Sequence, residues 1–300
     1  MDRLEAMSLL VSVAEAGSLS AASRRLRVPL PTVSRKISDL EAHLRTRLLT
    51  RSTRKLALTD AGAAYVAAAK RILDEVGEAE RAASGEHAAP RGDLVITAPM
   101  AFGRLHVLPV IAEFLAQWPE IDVRLVLSDR NLHLIDDHVD IAVRIGSLAD
   151  SALVSTRVGA VRSVVCGSPA YFAGHGVPER PEDLSALTAV TFNPFSSSHH
   201  WAFPDPKSKR DLHVQMRSRL AVNTAEAAID GAAAGLGVTR VFSYQAAQAV
   251  LDGRLEVVLA EYEPAPLPVS LIHGHQGLTP LKVRMLLDFA APRLRARLGA

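Results

Sequence analysis

From Leu4 onward, apolar residues return at Met7, Leu10, Val11 and Ala14, the spacing of one helical face, and Gly17 ends the helix they predict. Ser18 is placed to cap a second helix whose inward stripe is Leu19, Ala22 and Leu26, and Val28-Pro29-Leu30-Pro31 breaks it. Pro31 suits the first turn of a third helix. In that helix Val33, Ile37, Leu40 and Leu44 share one face, opposite Thr32, Ser34, Arg35, Ser38 and Asp39. Three short helices with a tight second turn spell helix-turn-helix. Leu48-Leu49 and Leu56-Ala57-Leu58 then bracket Thr50 to Lys55, which reads as a small hairpin, a wing with a basic tip.

Thr59-Asp60 starts a long helix in which Gly62, Tyr65, Ala69, Ile72, Val76, Ala79 and Ala83 alternate by three and four. That is the seam of a paired coil, diluted by its small residues, and it nominates Tyr65, Ala69, Ile72, Val76 and Ala79 for self-association. Residues 83–92, small and polar and ending near Pro90 and Gly92, read as a linker. Beyond it strands and helices alternate: strands at 94–97, 123–127, 141–145, 163–166, 189–192, 214–222, 238–241, 256–259 and 269–273, and helices at 105–118, 225–234, 243–251 and 281–298. This grammar predicts a parallel-rich sheet flanked by helices. Residues 196–211 read as a hairpin or surface insertion.

Charge changes the picture. The chain as a whole carries a formal +2, but residues 24–55 hold ten cationic side chains against Asp39 and Glu41, a local surplus of eight. Such a footprint fits a polyanion, nucleic acid before an anionic membrane surface. No apolar run is long enough to span a bilayer and the first residues do not resemble a secretion signal, so a cytoplasmic protein is expected. At 300 residues with 48% hydrophobic residues, two or three folded units are expected.

The stretch from Ala21-Ala22 and Leu26 through Thr32-Val33-Ser34-Arg35-Lys36-Ile37 and Leu40-Glu41 to Arg51, Arg54 and Leu58-Thr59-Asp60-Ala61-Gly62 resembles the LysR-type transcriptional regulators. Echoes continue at Thr97-Ala98-Pro99, at 118–123, at 140–146 and at Gly235-Leu236-Gly237-Val238. The resemblance implies an overall α/β protein with three parts. They are an all-α winged helix-turn-helix over 1–59, a linker helix and hinge over 60–91, and a two-lobed α/β effector domain over 92–300 similar to periplasmic binding proteins. One lobe would span about 92–162 and 266–300, the other about 163–265. It also implies double-stranded promoter DNA as partner, a homodimer that assembles further into a homotetramer, and an effector in the cleft between lobes. Two departures stand out: Pro29-Leu30 replaces a polar pair usual in the family, and Arg45 replaces a glycine.

On the third helix, Arg35 is suited to bidentate reading of guanine, while Thr32 and Ser34 suit a base edge or phosphate, with Pro31, Lys36 and Ser38 beside them. Arg51, Arg54 and Lys55 on the wing are candidate phosphate or minor-groove ligands. For Arg24, Arg25 and Arg27 a solvated surface role stands equally open. In the second half, ligands of open parallel sheets lie beyond the strands' carboxyl ends. That rule selects Pro99, Met100, Ala101 and Phe102, Ser128 and Asp129, Arg144 and Gly146, and Asn223 and Thr224. Arg144 points to a small anion, a carboxylate above all, with a structural ion pair to Asp129 or Asp140 as the alternative.

No enzyme is expected. Cys166 sits in an apolar run, no Gly-x-Ser-x-Gly occurs, and Asp136, Asp137 and Asp140 form no acid-base spacing. His199-His200 and His273-Gly274-His275 lack the partners of a metal site, so neither metal nor cofactor is expected beyond the small-molecule effector. The competing reading is a cytoplasmic solute-binding or metabolic protein whose N-terminal helices serve assembly alone.

Overall fold

The computed structural model describes residues 2–51, 56–84, 90–130, 134, 139–147, 153–192, 200–205, 211–274 and 279–299, with the side chains of Arg51, Glu78 and 81–84 left aside. The chain divides into two compact units, Met1–Gly92 and Asp93–Ala300.

In the first unit, α1 (Arg3–Ala16) starts where the Asp2 carboxylate accepts from the Glu5 amide, and ends at Gly17 with φ 67°. Helix α2 (Leu19–Leu26) is capped by Ser18, whose hydroxyl accepts from the Ala21 amide at 3.1 Å. Helix α3 (Leu30–Leu44) begins one residue before Pro31, which sits in its first turn. Ala6, Leu10, Val13, Ala22, Val33, Ile37 and Leu40 are fully buried together. Each large member contributes about 1.5–3 kcal/mol by leaving water, so the period-3.6 stripes are what hold the three helices. Strands β1 (Leu49–Arg51) and β2 (Leu56–Leu58) pair antiparallel as the wing, Leu49 opposite Leu58.

Helix α4 (Asp60–Ser84) is locked to the wing through Leu48. The Thr59 amide donates to the Leu48 carbonyl at 3.0 Å, the Thr59 hydroxyl donates to the Arg47 carbonyl at 2.7 Å, and the Gly62 amide donates back to that hydroxyl at 2.9 Å. A Cβ on Gly62 would stand 2.0 Å from the Leu48 carbonyl oxygen, so glycine is required by close approach.

The second unit runs β3 (Gly92–Ala98), α5 (Met100–Phe102), a π-turn (Gly103–Val107), α6 (Leu108–Gln117), β4 (Ile121–Leu127), β5 (Ile141–Ile145) and β6 (Val154–Val161). It continues with β7 (Ser163–Gly167), α7 (Pro169–His175), a 3-10 turn (Pro181–Ala186), β8 (Thr188–Phe192), β9 (His200–Pro204), β10 (Asp211–Gln215) and β11 (Arg217–Val222). Then come α8 (Ala225–Ala233), β12 (Thr239–Phe242), α9 (Ser243–Leu251), β13 (Glu256–Val258), a 3-10 turn (Ala260–Tyr262), β14 (Leu267–His273) and α10 (Leu281–Leu298).

One lobe is a five-stranded sheet in the order β4-β3-β5-β14-β6, with Leu94, Phe102, Phe114, Val143, Val269 and Val283 fully buried between sheet and helices. The other holds a three-stranded sheet β12-β7-β13, the parallel pair β8 and β11, and the antiparallel hairpin β9-β10. The chain crosses from the first lobe between β6 and β7 and returns along β14.

Several expectations need correction. The sheet is mixed: β3 and β5 run parallel, whereas β14 is antiparallel to both β5 and β6, because it carries the chain back from the other lobe. The single strand expected over 214–222 is two, parted at the buried Met216, since β10 pairs β9 and β11 pairs β8. The helix expected at 105–118 begins at Met100 and widens into the π-turn before α6. Strand β6 was not foreseen, for its burial changes along its length rather than alternating; nor was α7, two turns long.

Replacing Gly62 by Ala is expected to destabilise the first unit by about 1–3 kcal/mol, because the new methyl meets backbone that cannot move independently. Gly174→Ala, in α7 with open space around its Cα, is expected within about 0.5 kcal/mol of wild type. Urea unfolding followed by far-ultraviolet dichroism distinguishes the two.

Candidate functional sites

The outward face of α3 carries Pro31, Arg35 and Ser38 exposed, with Thr32 and Ser34 half-buried beside them. Lys36, half-buried, forms an ion pair with Glu5 of α1. Arg25 likewise donates to Glu15 at 2.7 Å, and Lys70 of α4 meets the same carboxylate at 2.9 Å. Arg25 and then Lys70 hold the Glu15 carboxyl below its ordinary value. On the wing, Arg51 is placed by its backbone in β1, and Arg54 and Lys55 lie outside the described residues.

The wing is fixed to α3 by Glu41, whose Oε1 accepts from the amides of Leu48 at 2.8 Å and Leu49 at 3.0 Å. The turn between them bends at Arg45, with φ 53° and ψ 32°, a left-handed conformation in a residue with a Cβ. The turn thus takes the conformation that glycine would adopt freely, and the backbone strain stays in it.

Along α4 the seam proposed for pairing divides. Ala69 is 1% exposed and Tyr65 packs on the three-helix core, so this stretch is occupied within its own unit, a correction to the seam. Ile72, 39% exposed, the half-buried Val76 and the exposed Ala79 continue the stripe outward.

In the second unit a cavity of about 430 Å³ lies at the carboxyl ends of strands from both lobes. Pro99 and Met100 reach it after β3, Ser128, Asp129 and Arg130 after β4, and Arg144 and Ile145 from the end of β5. From the other lobe come Phe192 at the end of β8, Asn223 after β11, and Phe242, Tyr244 and Gln245 where β12 passes into α9. Asp129 Oδ1 accepts from the Met100 amide at 3.0 Å, tying the two loops of the first lobe together. The half-buried Arg144 donates from Nη1 to the Val143 carbonyl at 3.3 Å, and burial holds its pKa below the ordinary arginine value. It stays cationic, because arginine retains its proton in proteins.

Four of the residues selected by the strand-end rule are not in the lining. Ala101 and Phe102 turn into the core, 5% and 0% exposed. Thr224 caps α8, its hydroxyl accepting from the Ala227 amide at 3.3 Å. Gly146 forms a turn with φ 113°, its amide donating to the Pro268 carbonyl. The same rule applied to β8 and β12 would have found Phe192 and Phe242. Leu127, Arg130, Ile145, Tyr244 and Gln245 are one to three positions from residues it did select or from those strand ends.

Cys166 is fully buried between β12 and β13, and burial pushes its thiol up to about 12, the state of a core residue and not of a nucleophile. Among the described residues no three His, Cys, Asp or Glu side chains gather as a metal cluster; His199 and His275 lie outside them. Gly237 brings its backbone against Thr188, where a Cβ would meet the carbonyl oxygen at 2.3 Å, so the glycine pair serves a tight turn. No single helix among the described residues is long and apolar enough to cross a membrane.

A winged helix-turn-helix joined to a two-lobed α/β domain with a cavity at its strand ends defines an effector-responsive DNA-binding regulator. Residues 4–63 match the bacterial regulatory helix-turn-helix protein, lysR family, and residues 87–295 match the LysR substrate binding domain. The chain belongs to the LysR family of transcriptional regulators. It is 35% identical over 291 residues to an HTH-type transcriptional regulator of Xanthomonas campestris pv. campestris, covering 95% of this chain and 84% of that one. It is 31% identical to the HTH-type transcriptional activator AaeR of Escherichia coli, covering 96% and 93%. Among solved structures it resembles CrgA, a LysR-type transcriptional regulator from Neisseria meningitidis, at 31% identity and a TM-score of 0.61, covering 99% of each chain.

Arg45→Gly is expected to stabilise the first unit by about 1 kcal/mol through relief of the left-handed strain, while removing one cation next to α3. Denaturation midpoints and DNA affinity measured on the same protein should therefore move in opposite directions, stability up and affinity down.

Proposed function

We propose that α3 enters the major groove of promoter DNA with Arg35 reading a guanine and Thr32, Ser34 and Ser38 on base edges or phosphate. Arg51, Arg54 and Lys55 of the wing hold phosphates or the minor groove alongside. Supporting this is the outward placement of Arg35 at the amino-terminal half of a helix whose opposite face is the unit's core. The protein acts in the cytoplasm as a homodimer, and further as a tetramer, pairing through the outward stripe Ile72, Val76 and Ala79. It is a regulator and not an enzyme, and it carries no resident metal or cofactor.

The effector is a small anion, a carboxylate, bound in the cavity between the lobes with Arg144 as its charge partner. The observation carrying this is the position of the Arg144 guanidinium, half-buried in a cavity of a volume typical for small-molecule sites. A planar fork of donors matches a carboxylate with two parallel hydrogen bonds. A ligand held by both lobes favours one angle between them, and that preference is the means by which binding alters the regulator.

Arg35→Ala is expected to cost about 1–3 kcal/mol and to flatten preference at one operator position, whereas Arg54→Ala weakens binding to all sequences alike. Electrophoretic shifts against a panel of single-base operator variants separate these outcomes; an unchanged ranking in Arg35→Ala would remove its base-reading role.

Thermal-shift titration with carboxylic acids beside their neutral amides tests the effector reading. Acids should raise the melting temperature of wild type, amides should not, and Arg144→Ala should lose most of the acid response. Equal stabilisation by acid and amide refutes the anion.

A further inference from the structure

We propose that Leu30, at the amino-terminal tip of α3, selects a thymine by packing on its 5-methyl group, with Pro29 and Pro31 beside it; this rests on the reading of α3 as the helix that enters the major groove. Elsewhere on α3 the large apolar side chains go inward, and Val33, Ile37 and Leu40 are fully buried. Leu30 is 40% exposed, and Pro29 and Pro31 on either side of it are exposed as well. The next exposed residues along the helix are Arg35, Ser38 and Asp39. An apolar side chain alone on a surface needs no partner, but here three stand together at the end of a helix that is otherwise polar on its outer face.

Position decides what that tip meets. Helical side chains lean towards the amino terminus, so Leu30, the first residue of α3, extends beyond the first turn, while Pro31 shares the face of Arg35 and Ser38. Residues at this end of a recognition helix are the ones that reach base edges. The turn has little else to offer. Pro29 and Pro31 bring no N–H, no side chain caps the helix, and the amides of Thr32 and Val33 already donate to the Pro29 carbonyl at 2.9 and 3.1 Å. Phosphate binding of the kind that helix amino termini commonly provide is largely given up here. Apolar contact is what remains, and among the groups that base pairs present in the major groove the thymine 5-methyl is the apolar one.

A leucine at this place also acts against the other bases. The amino group of cytosine or adenine beneath it would lose water and gain no acceptor in exchange. Glutamine or serine at the same position would reverse this, because each can bond to a base edge and neither offers an apolar end. Selection of thymine by Leu30 is thus separate in kind from the reading of guanine by Arg35, and its size is that of one methyl group leaving water, about 4-fold in affinity.

Deoxyuridine keeps the base pairing of thymidine and lacks the methyl group, so it isolates this contact. An operator is selected from random-sequence DNA by the full-length protein, its thymines are replaced by uracil one at a time, and each duplex is titrated by electrophoretic shift. Wild type is compared with Leu30→Gln, Leu30→Ser, Leu30→Met and Arg35→Ala, each checked for a native melting transition. Wild type should bind about 3- to 5-fold more weakly when one particular thymine of a half-site loses its methyl. Leu30→Met should keep that penalty, and Leu30→Gln and Leu30→Ser should lose it while retaining the guanine preference that Arg35→Ala flattens. A wild type indifferent to every uracil, or a penalty that persists in either folded polar variant, overturns the methyl contact. Altered sedimentation of Leu30→Gln without any uracil effect overturns it too, and assigns the apolar tip to a protein partner. A guanine preference flattened by Arg35→Ala with no uracil effect removes Leu30 alone, whereas absence of both effects overturns the entry of α3 into the groove.

Discussion

The third helix, the wing strands and the long helix of the first unit meet at the backbone of one residue, Leu48. Its amide is held by the Glu41 carboxylate of α3, its carbonyl accepts from the Thr59 amide, and the same oxygen forbids a Cβ at Gly62 of α4. Helix, wing and long helix therefore share a single junction, made of hydrogen bonds in a partly buried place where leaving one unmade costs about 1–3 kcal/mol. Side chains on α3 and on the wing can act on neighbouring stretches of a duplex only if their relative position does not drift. The junction supplies that rigidity without a large core, which so small a unit cannot build.

The second unit solves a different problem, keeping a cavity open in a protein whose interior is otherwise close-packed. Strands of both lobes end at it, so the groups facing it are loop and strand-end residues, while the alternate positions on the same strands go into the cores. Arg144 shows the division: its neighbours Val143 and Ala142 are fully buried, and its own guanidinium faces the cavity. The lining belongs to elements whose stability is secured elsewhere, which leaves its chemistry free to differ between related chains.

The sequence carried much of this. Where a punctuating residue bounded the element, as at Gly17 after α1 and Ser18 before α2, its limits were readable to within a residue, although the buried face of α1 is Ala6, Leu9, Leu10 and Val13 and not the stripe through Leu4, Met7 and Ala14. Reading failed where a tertiary partner decided the outcome. Nothing local says that Met216 parts two strands, because the break comes from β9 and β8 being different neighbours. At the cavity, the strand-end rule found Pro99, Met100, Ser128, Asp129, Arg144 and Asn223 but could not foresee that Phe102 turns inward by helical winding, or that the Thr224 hydroxyl is engaged as a cap. Phe192 and Phe242 went unselected because an apolar residue at a strand end reads as core unless a cavity is already in view. On α4, the heptad spacing was real, but spacing does not say whether α1 or a second chain fills the groove, and for Ala69 it is α1's own unit.

Both helices α2 and α3 end on an arginine in the left-handed region, Arg27 at φ 56° and Arg45 at φ 53°, where glycine would sit without strain. Each such turn costs about 1–2 kcal/mol of folding free energy, a cost that no ion concentration changes. What the arginines provide in return is positive potential beside the recognition helix, and that is screened within about 8 Å at physiological ionic strength. The two sides of this exchange thus respond differently to the cell's osmotic state: salt stress erases the electrostatic benefit while the conformational debt remains, so the DNA-binding head is at once loosest on its target and no better folded.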